Sequence, residues 1–281
     1  MTHLTNIHST FADYQEIINL HQKHKGDFLD TISIDVYQWF SANMCAVLGS
    51  VLDLFIEDAN TAKFNHIDPV VKTILLKNDF LSYFGYPRLP DNNHTTIRFL
   101  KLKPTDGKFF NNYVFNELIG RTELPAMSNL LKHKMSEAIY EIFVNAQMHS
   151  DTQHIYTCGQ FFPKKDIIEF TLVDTGIGFK RKVNERFNRD LTSIQAIKWA
   201  TVDGHTTKVG MPGGIGLALL KEFIKKNKGM LQIISDDGYY EYGTHGEKTK
   251  IFNGSFPGTI VNLQLRTNDG SSYSLKGESK K

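Results

Sequence analysis

The chain has 281 residues, of which 41% are hydrophobic and 22% are charged, an ordinary composition for a globular protein of roughly two domains. Its formal net charge of +2 predicts no broad basic surface and argues against a nucleic-acid partner. No apolar run reaches the roughly 18 residues that a membrane span requires, and the first residues lack an export signal. The two cysteines, Cys45 and Cys158, have no CxxC pattern and no nearby His pair. We therefore expect reduced, half-buried thiols in a cytoplasmic protein that does not associate with membranes and is not a zinc enzyme.

The first 85 residues are predicted to contain one strand and three helices. A helix is expected around Tyr14 to His21, and TISIDVYQWF, from Thr31, alternates apolar and polar residues as a strand does. Ser41 is predicted to cap the helix that ANMCAVLGSVLDLFIEDA forms. A second amphipathic helix, DPVVKTILLKNDFLSYFG, is expected to begin at Asp68 and Pro69 and to end near Gly85.

Two segments are predicted to lie outside the two folded domains. Residues 86–128 contain PRLPDNN, KPTDG and ELPA, and these turn residues indicate a connector. The last fourteen residues, NDGSSYSLKGESKK, are too polar to pack and are predicted to form a disordered tail.

The second half of the chain is predicted to be an α+β unit. A helix is expected from about Met127 to His149, followed by the strands HIYTCGQFF and DIIEFTLVD. The second of these strands is apolar enough for the middle of a sheet. A Gly- and Lys-containing stretch, 176–213, precedes the helix IGLALLKEFIKKN and the strands GMLQIIS and GTIVNLQLRT. Helices and strands come in blocks, which favours α+β over a doubly wound sheet.

The stretch EAIYEIFVNAQMHS places polar residues at the edge of a buried helix face. Its predicted apolar stripe follows the helical period: Ile139, Ile142, Phe143 and Ala146. Glu141 and Asn145 are four residues apart and lie on the shoulder of that stripe. The simple interpretation is a surface hydrogen-bond pair worth a few tenths of a kcal/mol. The alternative is a site that needs a carboxylate and an amide beside the core.

Three glycine-containing stretches favour the second interpretation. LVDTGIGF ends a strand with Asp174 and then places Gly176 and Gly178, which let the backbone approach a flat ligand. A carboxylate at this strand end can accept a hydrogen bond from an exocyclic amine. MPGGIGLALLKEF has glycines 213, 214 and 216 at a helix start, where free amides suit a phosphate. FPGTIVNLQL begins a strand with Gly258 and Thr259. Alone, DXGXG is compatible with a hairpin turn and GGIG with a plain helix start.

Together these stretches resemble the Bergerat ATP-binding fold of the GHKL superfamily, which includes DNA gyrase, histidine kinases and the anti-sigma serine kinases. EIFVNAQMH is similar to the N box and DTGIGF to the first glycine box. TTKVGMPGGIGLALL is similar to the end of the ATP lid with the second glycine box. The resemblance covers about residues 126–267 and implies a Bergerat-type α/β sandwich that binds ATP and Mg²⁺.

The resemblance also implies roles for individual residues. Asn145 would hold Mg²⁺ through its amide oxygen, and Glu141 would activate the attacking water or hydroxyl as the catalytic base. Asp174 would read the adenine amino group together with Thr259. The remaining nucleotide-binding positions make room for the base or line the phosphates: Gly176, Gly178, Gly214, Gly216 and the amide of Leu217.

Other positions keep two interpretations. Thr206, Thr207 and Lys208 are similar to a lid motif, in which Lys208 would neutralise the γ-phosphate; otherwise it is a solvated lysine. His149 fits an N-box position and equally fits a plain helix-end histidine. The remaining residues are expected on an exposed face of the lid (Lys180, Arg181, Lys182 and Arg186) or in the core or an interface (Trp39 and Trp199).

Residues 31–87 resemble the anti-sigma-factor antagonist (STAS) fold, with VKTILLKNDFLSYFG similar to its final helix. Where such domains often carry a phosphorylatable Ser, this sequence reads FSANMC, with Asn43 at the acceptor place. The region is therefore expected to be a docking surface. The predicted organisation is an N-terminal segment (1–27), a STAS-like domain (28–87), a connector (88–125), a Bergerat domain (126–267) and a tail (268–281).

Three functions remain open. The first is an ATP-dependent serine/threonine-type protein kinase or anti-sigma-like regulator whose partner is another STAS-like protein. The second is an ATP-gated conformational switch or ATPase without phosphotransfer. The third is a divergent sensor histidine kinase, which is disfavoured because His94 lies among turn residues and His133 lies within the ATP helix. The oligomeric state stays open, with a homodimer as one option.

Overall fold

A computed structural model describes residues 2–149, 152–202, 204–205 and 215–278. Helices and strands occur in groups along the chain, and the described residues form an α+β protein, as predicted. The strands are β1 (Thr2–Ile7), β2 (Thr31–Phe40), β3 (Thr61–Ile67), β4 (Thr96–Leu102), β5 (Ala126–Met127), β6 (Ile155–Phe162), β7 (Ile167–Asp174), β8 (Met230–Gly243), β9 (Gly246–Arg266) and β10 (Ser272–Tyr273). The helices are α1 (Phe11–His24), α2 (Cys45–Glu57), α3 (Pro69–Lys77), α4 (Gly107–Val114), α5 (Asn129–His149), α6 (Gly178–Phe187), α7 (Ser193–Ala200) and α8 (Ile215–Asn227).

The central element is a five-stranded antiparallel sheet with the order β4-β6-β7-β9-β8. Strand β7 occupies the middle, as its continuous apolar sequence predicted, and every one of its residues is buried. It is buried throughout because both faces of the sheet are covered, so alternation with polar residues is lost. Its last residue, Asp174, lies opposite Thr259 of β9 and Ile155 of β6.

The front face of the sheet packs against α4, α5 and α8. Phe170 and Leu172 of β7 point into this core, and Phe143 of α5 stacks on Phe110 of α4 with ring centroids 4.5 Å apart. The apolar stripe of α5 thus lies against the sheet, and this contact fixes the rotation of the helix about its axis. That rotation decides where the polar shoulder of α5 lies.

The back face of the same sheet packs against the first part of the chain. A parallel sheet, β1-β2-β3, and the helices α1 and α2 share one hydrophobic core with residues of the five-stranded sheet. Val173 of β7 and Ile260 of β9 belong to this core together with Tyr14 of α1 and Val51 of α2. The predicted STAS-like and Bergerat regions are therefore in direct contact, while their boundaries stay predictions.

The structure corrects several expectations. The predicted connector contains β4, which is an edge strand of the main sheet, and α4, which covers that sheet. The predicted disordered tail contains β10, which pairs with β5 in parallel. Cys45 and Cys158 are free thiols but are fully buried rather than half-buried.

The predicted helix cap at Ser41 is wrong. A 3-10 turn, Ala42–Met44, intervenes before α2, and the Ser41 hydroxyl makes no capping bond. Its oxygen instead accepts a hydrogen bond from Trp39 Nε1 at 3.0 Å. The second predicted helix begins at Pro69 as expected but ends at Lys77, with a 3-10 turn, Phe80–Phe84, before Gly85. Within the described ranges no helix is both long and apolar enough to cross a membrane.

Candidate functional site

Helix α5 carries two predicted site residues at the edge of its buried face. Glu141 and Asn145 are half-buried, one turn apart. The predicted stripe beside them is buried at every position: Ile139, Ile142, Phe143 and Ala146. The structure thus confirms the position of the pair on the shoulder of the core.

A cleft follows this shoulder between α5, the end of β7, α6 and the start of α8. Six of the predicted residues line it: Glu141, Asn145, Asp174, Gly178, Leu217 and Thr259. They come from five elements that are far apart in the sequence. Each of the two adjoining halves of the cleft has a cavity volume of about 30 Å³, which is room for only a few water molecules. A larger ligand therefore requires the walls to separate.

Asp174 is a buried carboxylate at the inner end of the cleft, and 7% of its surface is exposed. The amide of Gly176 donates to its Oδ1 at 2.9 Å, which fixes the orientation of the carboxylate. Burial raises the pKa of Asp174 to about 6, although this hydrogen bond and the Lys182 ammonium oppose the shift. The carboxyl is therefore ionised at neutral pH, and its burial carries an unfavourable desolvation free energy. A ligand that donates a hydrogen bond to it would offset part of that free energy.

Glycines let the two loops beside Asp174 approach each other closely. Gly178 has a φ of +70°, and a Cβ atom there would lie 2.7 Å from Ser235 Oγ. Gly258 has a φ of +141°, and a Cβ atom would overlap the carbonyl oxygen of Asp174. Ser235 Oγ accepts the Phe179 amide at 2.9 Å and lies 3.4 Å from the Thr259 hydroxyl. Gly176 does not line the cleft and instead borders a depression on the other side of the loop.

The opposite end of the cleft is closed by a contact between α5 and α8. The backbone amide of Gly216 donates to Glu141 Oε2 at 2.7 Å. Leu217 follows in the first turn of α8 and is buried against both halves of the cleft. The amides in this first turn have no partner inside the helix and carry its positive end, so they can bind an anion. We call the Glu141–Gly216 contact the latch.

Several predicted residues lie outside the described part of the chain. These are Thr206, Thr207, Lys208, Gly213 and Gly214, together with the side chain of His149. Their predicted roles at the phosphate end stay predictions.

The cleft also contains residues that the sequence did not single out as site residues. Helix α6 contributes three of them at helical spacing: Phe179, Lys182 and Val183. Helix α7 contributes Trp199. Four basic residues were expected on one exposed face, but only Arg181 and Arg186 are exposed. Lys182 is half-buried in the cleft, and Lys180 is half-buried and pairs with Asp236. The spacing Phe179–Lys182–Val183 is the signal that could have identified this inner face. Trp199 stacks on His205 with centroids 4.9 Å apart at the rim of the cleft.

One other group among the described residues has metal-ligand chemistry. The ligand atoms of Asp53, Glu57 and His154 lie within 4.8 Å of one another, on α2 and before β6. However, the Lys101 ammonium lies 2.6 Å from Asp53 Oδ2, and the Tyr156 hydroxyl donates to the same oxygen. The group is therefore an ion-pair network that holds α2 to the main sheet.

Comparison with known proteins gives no relative for this site: neither a protein-family model nor a curated protein matches the chain.

Proposed function

We propose that this protein binds Mg-ATP in the cleft along α5 in the manner of the GHKL superfamily, and that it is a regulatory kinase or anti-sigma-like regulator. The observation that carries the proposal is the convergence on one cleft of the residues that the resemblance assigns to a nucleotide site. Glu141 and Asn145 share a helix, but Asp174, Leu217 and Thr259 reach the cleft from three other elements. Chance matches to short motifs give no reason for such convergence.

The adenine end of the proposed site is the buried pocket around Asp174. Its carboxylate would accept a hydrogen bond from the exocyclic amine of adenine, and the Thr259 hydroxyl lies beside it on the neighbouring strand. Leu172 and Val261 of the central strands provide an apolar surface for the base. A fixed carboxylate between apolar walls is the composition expected of a pocket that selects a planar base.

The metal and phosphate end is the edge of α5 that faces α8. Mg²⁺ prefers oxygen ligands and keeps several waters, so the Asn145 amide oxygen and the phosphates would suffice to hold it. The first turn of α8, at Gly216 and Leu217, supplies backbone amides for the phosphates. Glu141 lies one turn before Asn145, where a carboxylate can take a proton from an attacking hydroxyl.

The phosphate acceptor in this proposal is a serine or threonine of a partner protein with a STAS-like fold. Asn43 is fully buried against the main sheet and donates to Thr171 and Asn262, so it is out of reach of a phosphate donor. This supports phosphorylation of a partner over self-phosphorylation. A cytoplasmic location is part of the proposal and is supported by the two free, buried thiols.

A second candidate function is an ATP-gated switch without phosphotransfer. The latch favours it, because Glu141 is hydrogen-bonded to the amide of Gly216 and the cleft is closed. Arrival of a phosphate would break this contact and separate α5 from α8, and such a movement can be transmitted to a partner surface.

The decisive first experiment is nucleotide binding by calorimetry. Asp174→Asn should weaken ATP and ADP alike by about ten- to a hundredfold, since a charge-assisted hydrogen bond is worth about 1.5–3 kcal/mol. Asp190→Asn, at an exposed residue between α6 and α7, is the matched control and should bind normally. Unchanged ATP affinity in a folded Asp174→Asn protein would overturn the proposed function.

The second experiment separates the two candidates. The protein is incubated with γ-labelled ATP and purified STAS-domain proteins, and the label is followed into protein and free phosphate. Label on a seryl or threonyl side chain that disappears in Glu141→Ala supports the kinase. Release of free phosphate alone supports the switch, and label on a histidine of the protein itself would favour the histidine kinase.

A further inference from the structure

A second cavity lies on the back face of the main sheet, away from the cleft. It has a volume of about 480 Å³, against about 30 Å³ for each half of the cleft. The volume falls within the range of small-molecule sites, about 300–1,000 Å³. The turn between β1 and α1 forms one wall, and strands β7, β8 and β9 form the floor. We call it the back cavity.

The floor of the back cavity consists of buried polar side chains that are held rigidly. Glu169 is 5% exposed, and its two oxygens accept hydrogen bonds from Ser9 Oγ at 2.6 Å and Gln264 Nε2 at 2.9 Å. Gln232 is 1% exposed and donates to the Ser9 carbonyl and to the Tyr239 hydroxyl. Each Glu169 oxygen can accept a further hydrogen bond from a hydroxyl or an amine. Because these polar groups are already fixed, they can orient a ligand without a further loss of side-chain entropy on binding.

The walls of the back cavity are apolar, and its mouth is positively charged. Phe11 and Phe162 line the walls, and Ile167 and Met230 extend the floor beside Glu169 and Gln232. The ammonium groups of Lys250 and Lys165 lie over the rings of Phe11 and Phe162, at 4.8 and 5.3 Å from the centroids. Among the described residues, no carboxylate lies within 4 Å of either ammonium, so both charges are unneutralised at the mouth.

The other charged groups at the mouth leave this excess of positive charge in place. The third lysine, Lys248, is paired with Glu241 at 3.1 Å. Burial and the nearby Lys165 lower the pKa of His8, so the imidazole is neutral at physiological pH. Glu169 lies at the floor, and its two donors, Ser9 and Gln264, are neutral, so the cavity lining has three lysines against two carboxylates. An anionic group at the mouth would therefore meet two unpaired ammoniums and no exposed, unpaired carboxylate.

We propose that the back cavity binds a small organic anion, with a carboxylate or phosphate group between Lys165 and Lys250 and a hydroxyl or amino group on the Glu169 floor. The proposal is independent of nucleotide binding, because no residue lines both this cavity and the cleft. It assigns a role to the contact between the first part of the chain and the main sheet. Ser9 and His8 come from the first part of the chain, and Glu169 and Gln232 come from the main sheet. The cavity lies where these two parts meet.

The two tryptophans of the chain offer one reporter for each site. Trp39 donates to Ser41 and stacks on His8 with centroids 6.3 Å apart, and both partners line the back cavity. Trp199 lines the cleft. Trp199→Phe therefore leaves a fluorescence signal that responds to the back cavity alone, and Trp39→Phe leaves one for the cleft.

The test titrates Trp199→Phe with ribose 5-phosphate, 3-phosphoglycerate and L-glutamate, with ribose and inorganic phosphate as controls, and repeats the titrations on the wild type by calorimetry. We expect a saturable change with at least one of the three organic anions and none with ribose. A response to the phosphorylated compounds alone identifies phosphate as the anionic group, and a response to L-glutamate alone identifies carboxylate. Saturation by inorganic phosphate with equal affinity would show that the cavity selects only the charge and would overturn the floor assignment.

Variants locate the binding site. Lys165→Ala with Lys250→Ala should weaken the responding anion by about tenfold or more, the usual effect of losing charge-assisted contacts. Lys164→Ala, at the exposed neighbour that does not line the cavity, is the control and should bind like the wild type. Equal loss in the control, or no saturable signal from any of the three anions in either protein, rejects the proposal. Asp174→Asn should keep its anion response, so failure of the nucleotide site is distinguishable from failure here.

Discussion

The Glu141 carboxylate accepts a hydrogen bond from the backbone amide of Gly216, with 2.7 Å between Oε2 and N. A Cβ atom at residue 216 would lie 2.7 Å from the same oxygen and 2.9 Å from the Ala138 carbonyl oxygen. The helices α5 and α8 therefore meet where only a glycine fits. A first-turn amide is also a preferred position for a phosphate oxygen. Under the proposed function, the carboxylate that activates the nucleophile and the incoming phosphate compete for one donor.

Glu141→Ala should separate nucleotide binding from chemistry. Removal of the carboxylate frees the Gly216 amide, so ATP should bind at least as tightly as to the wild type. Phosphate release or transfer should fall by about 10²–10⁴, the usual contribution of a positioned general base. Calorimetry and labelled ATP measure the two effects. Glu137→Ala, one turn earlier at an exposed residue paired with Lys134, is the control and should change neither. Unchanged turnover in Glu141→Ala would remove the catalytic role.

Asn145→Ala should weaken Mg-ATP more than metal-free ADP, because the amide oxygen would contact the ion and not the base. Calorimetry with and without Mg²⁺ gives both affinities. Gln147→Ala, on the exposed face of the same helix, should leave both unchanged. Equal losses for the two ligands would mean that Asn145 only supports the packing of α5.

Asp174→Asn should stabilise the nucleotide-free protein at neutral pH. Burial raises the pKa of this carboxyl from 3.8 to about 6, so the folded state binds the proton more tightly than the unfolded state. The free energy of unfolding of the wild type therefore falls as the pH rises from about 4 to about 6 and stays lower above it. The variant should gain up to about 3 kcal/mol above pH 6 and nothing below about pH 4.

Urea denaturation at about pH 4 and at about pH 7 measures this difference. Asp190→Asn should show no such pH dependence, because its carboxyl is exposed. A wild type that is more stable than Asp174→Asn at neutral pH would mean that the ionised carboxylate stabilises the fold. In that case its burial carries no energetic cost that a hydrogen bond from a ligand could relieve.

Gly216→Ala should lower the free energy of unfolding by about 1–3 kcal/mol, since the added methyl meets both a carboxylate and a backbone oxygen of α5. Gly270→Ala is the matched control, because a Cβ atom there would have no atom within 4 Å. Thermal or urea denaturation compares the two. Equal stability of both variants would show that α8 shifts easily, which would weaken the latch as a structural contact.

The elements that could be predicted are those whose sequence pattern depends on a single packing face. The stripe of α5 and the apolar run of β7 were sufficient to place both in the core, and the position of Glu141 and Asn145 followed from the helical period alone. Asp174 was predicted at a strand end and lies there. The sequence could not show that the cleft is closed, because the Glu141–Gly216 distance depends on how two helices pack.

The elements that were missed are stabilised by contacts distant in sequence. Strand β4 follows the turn-rich DNNH and is short, but it pairs with β6, and Ile97 and Leu100 complete the front core. Ser41 has good capping chemistry, yet its hydroxyl bonds to Trp39, and α2 begins only at Cys45. Lys182 looks like a solvated lysine in sequence and lines the cleft because α6 lies with Phe179 and Val183 inward. Local residue propensity cannot predict these contacts, because they depend on how the elements pack in the folded protein.

The pairing of β10 with β5 has a consequence for the order in which the protein matures. Ser128 caps α5 through the Leu131 amide, and its hydroxyl donates to Glu278, 150 residues further along the chain. The start of the helix that carries Glu141 and Asn145 is thus secured by a residue that is synthesised 150 positions later. Until residue 278 has emerged from the ribosome, these partners cannot meet. The cleft is therefore expected to acquire its final geometry only after that point, and a change at residue 278 would act on the first turn of α5 from a distance in sequence.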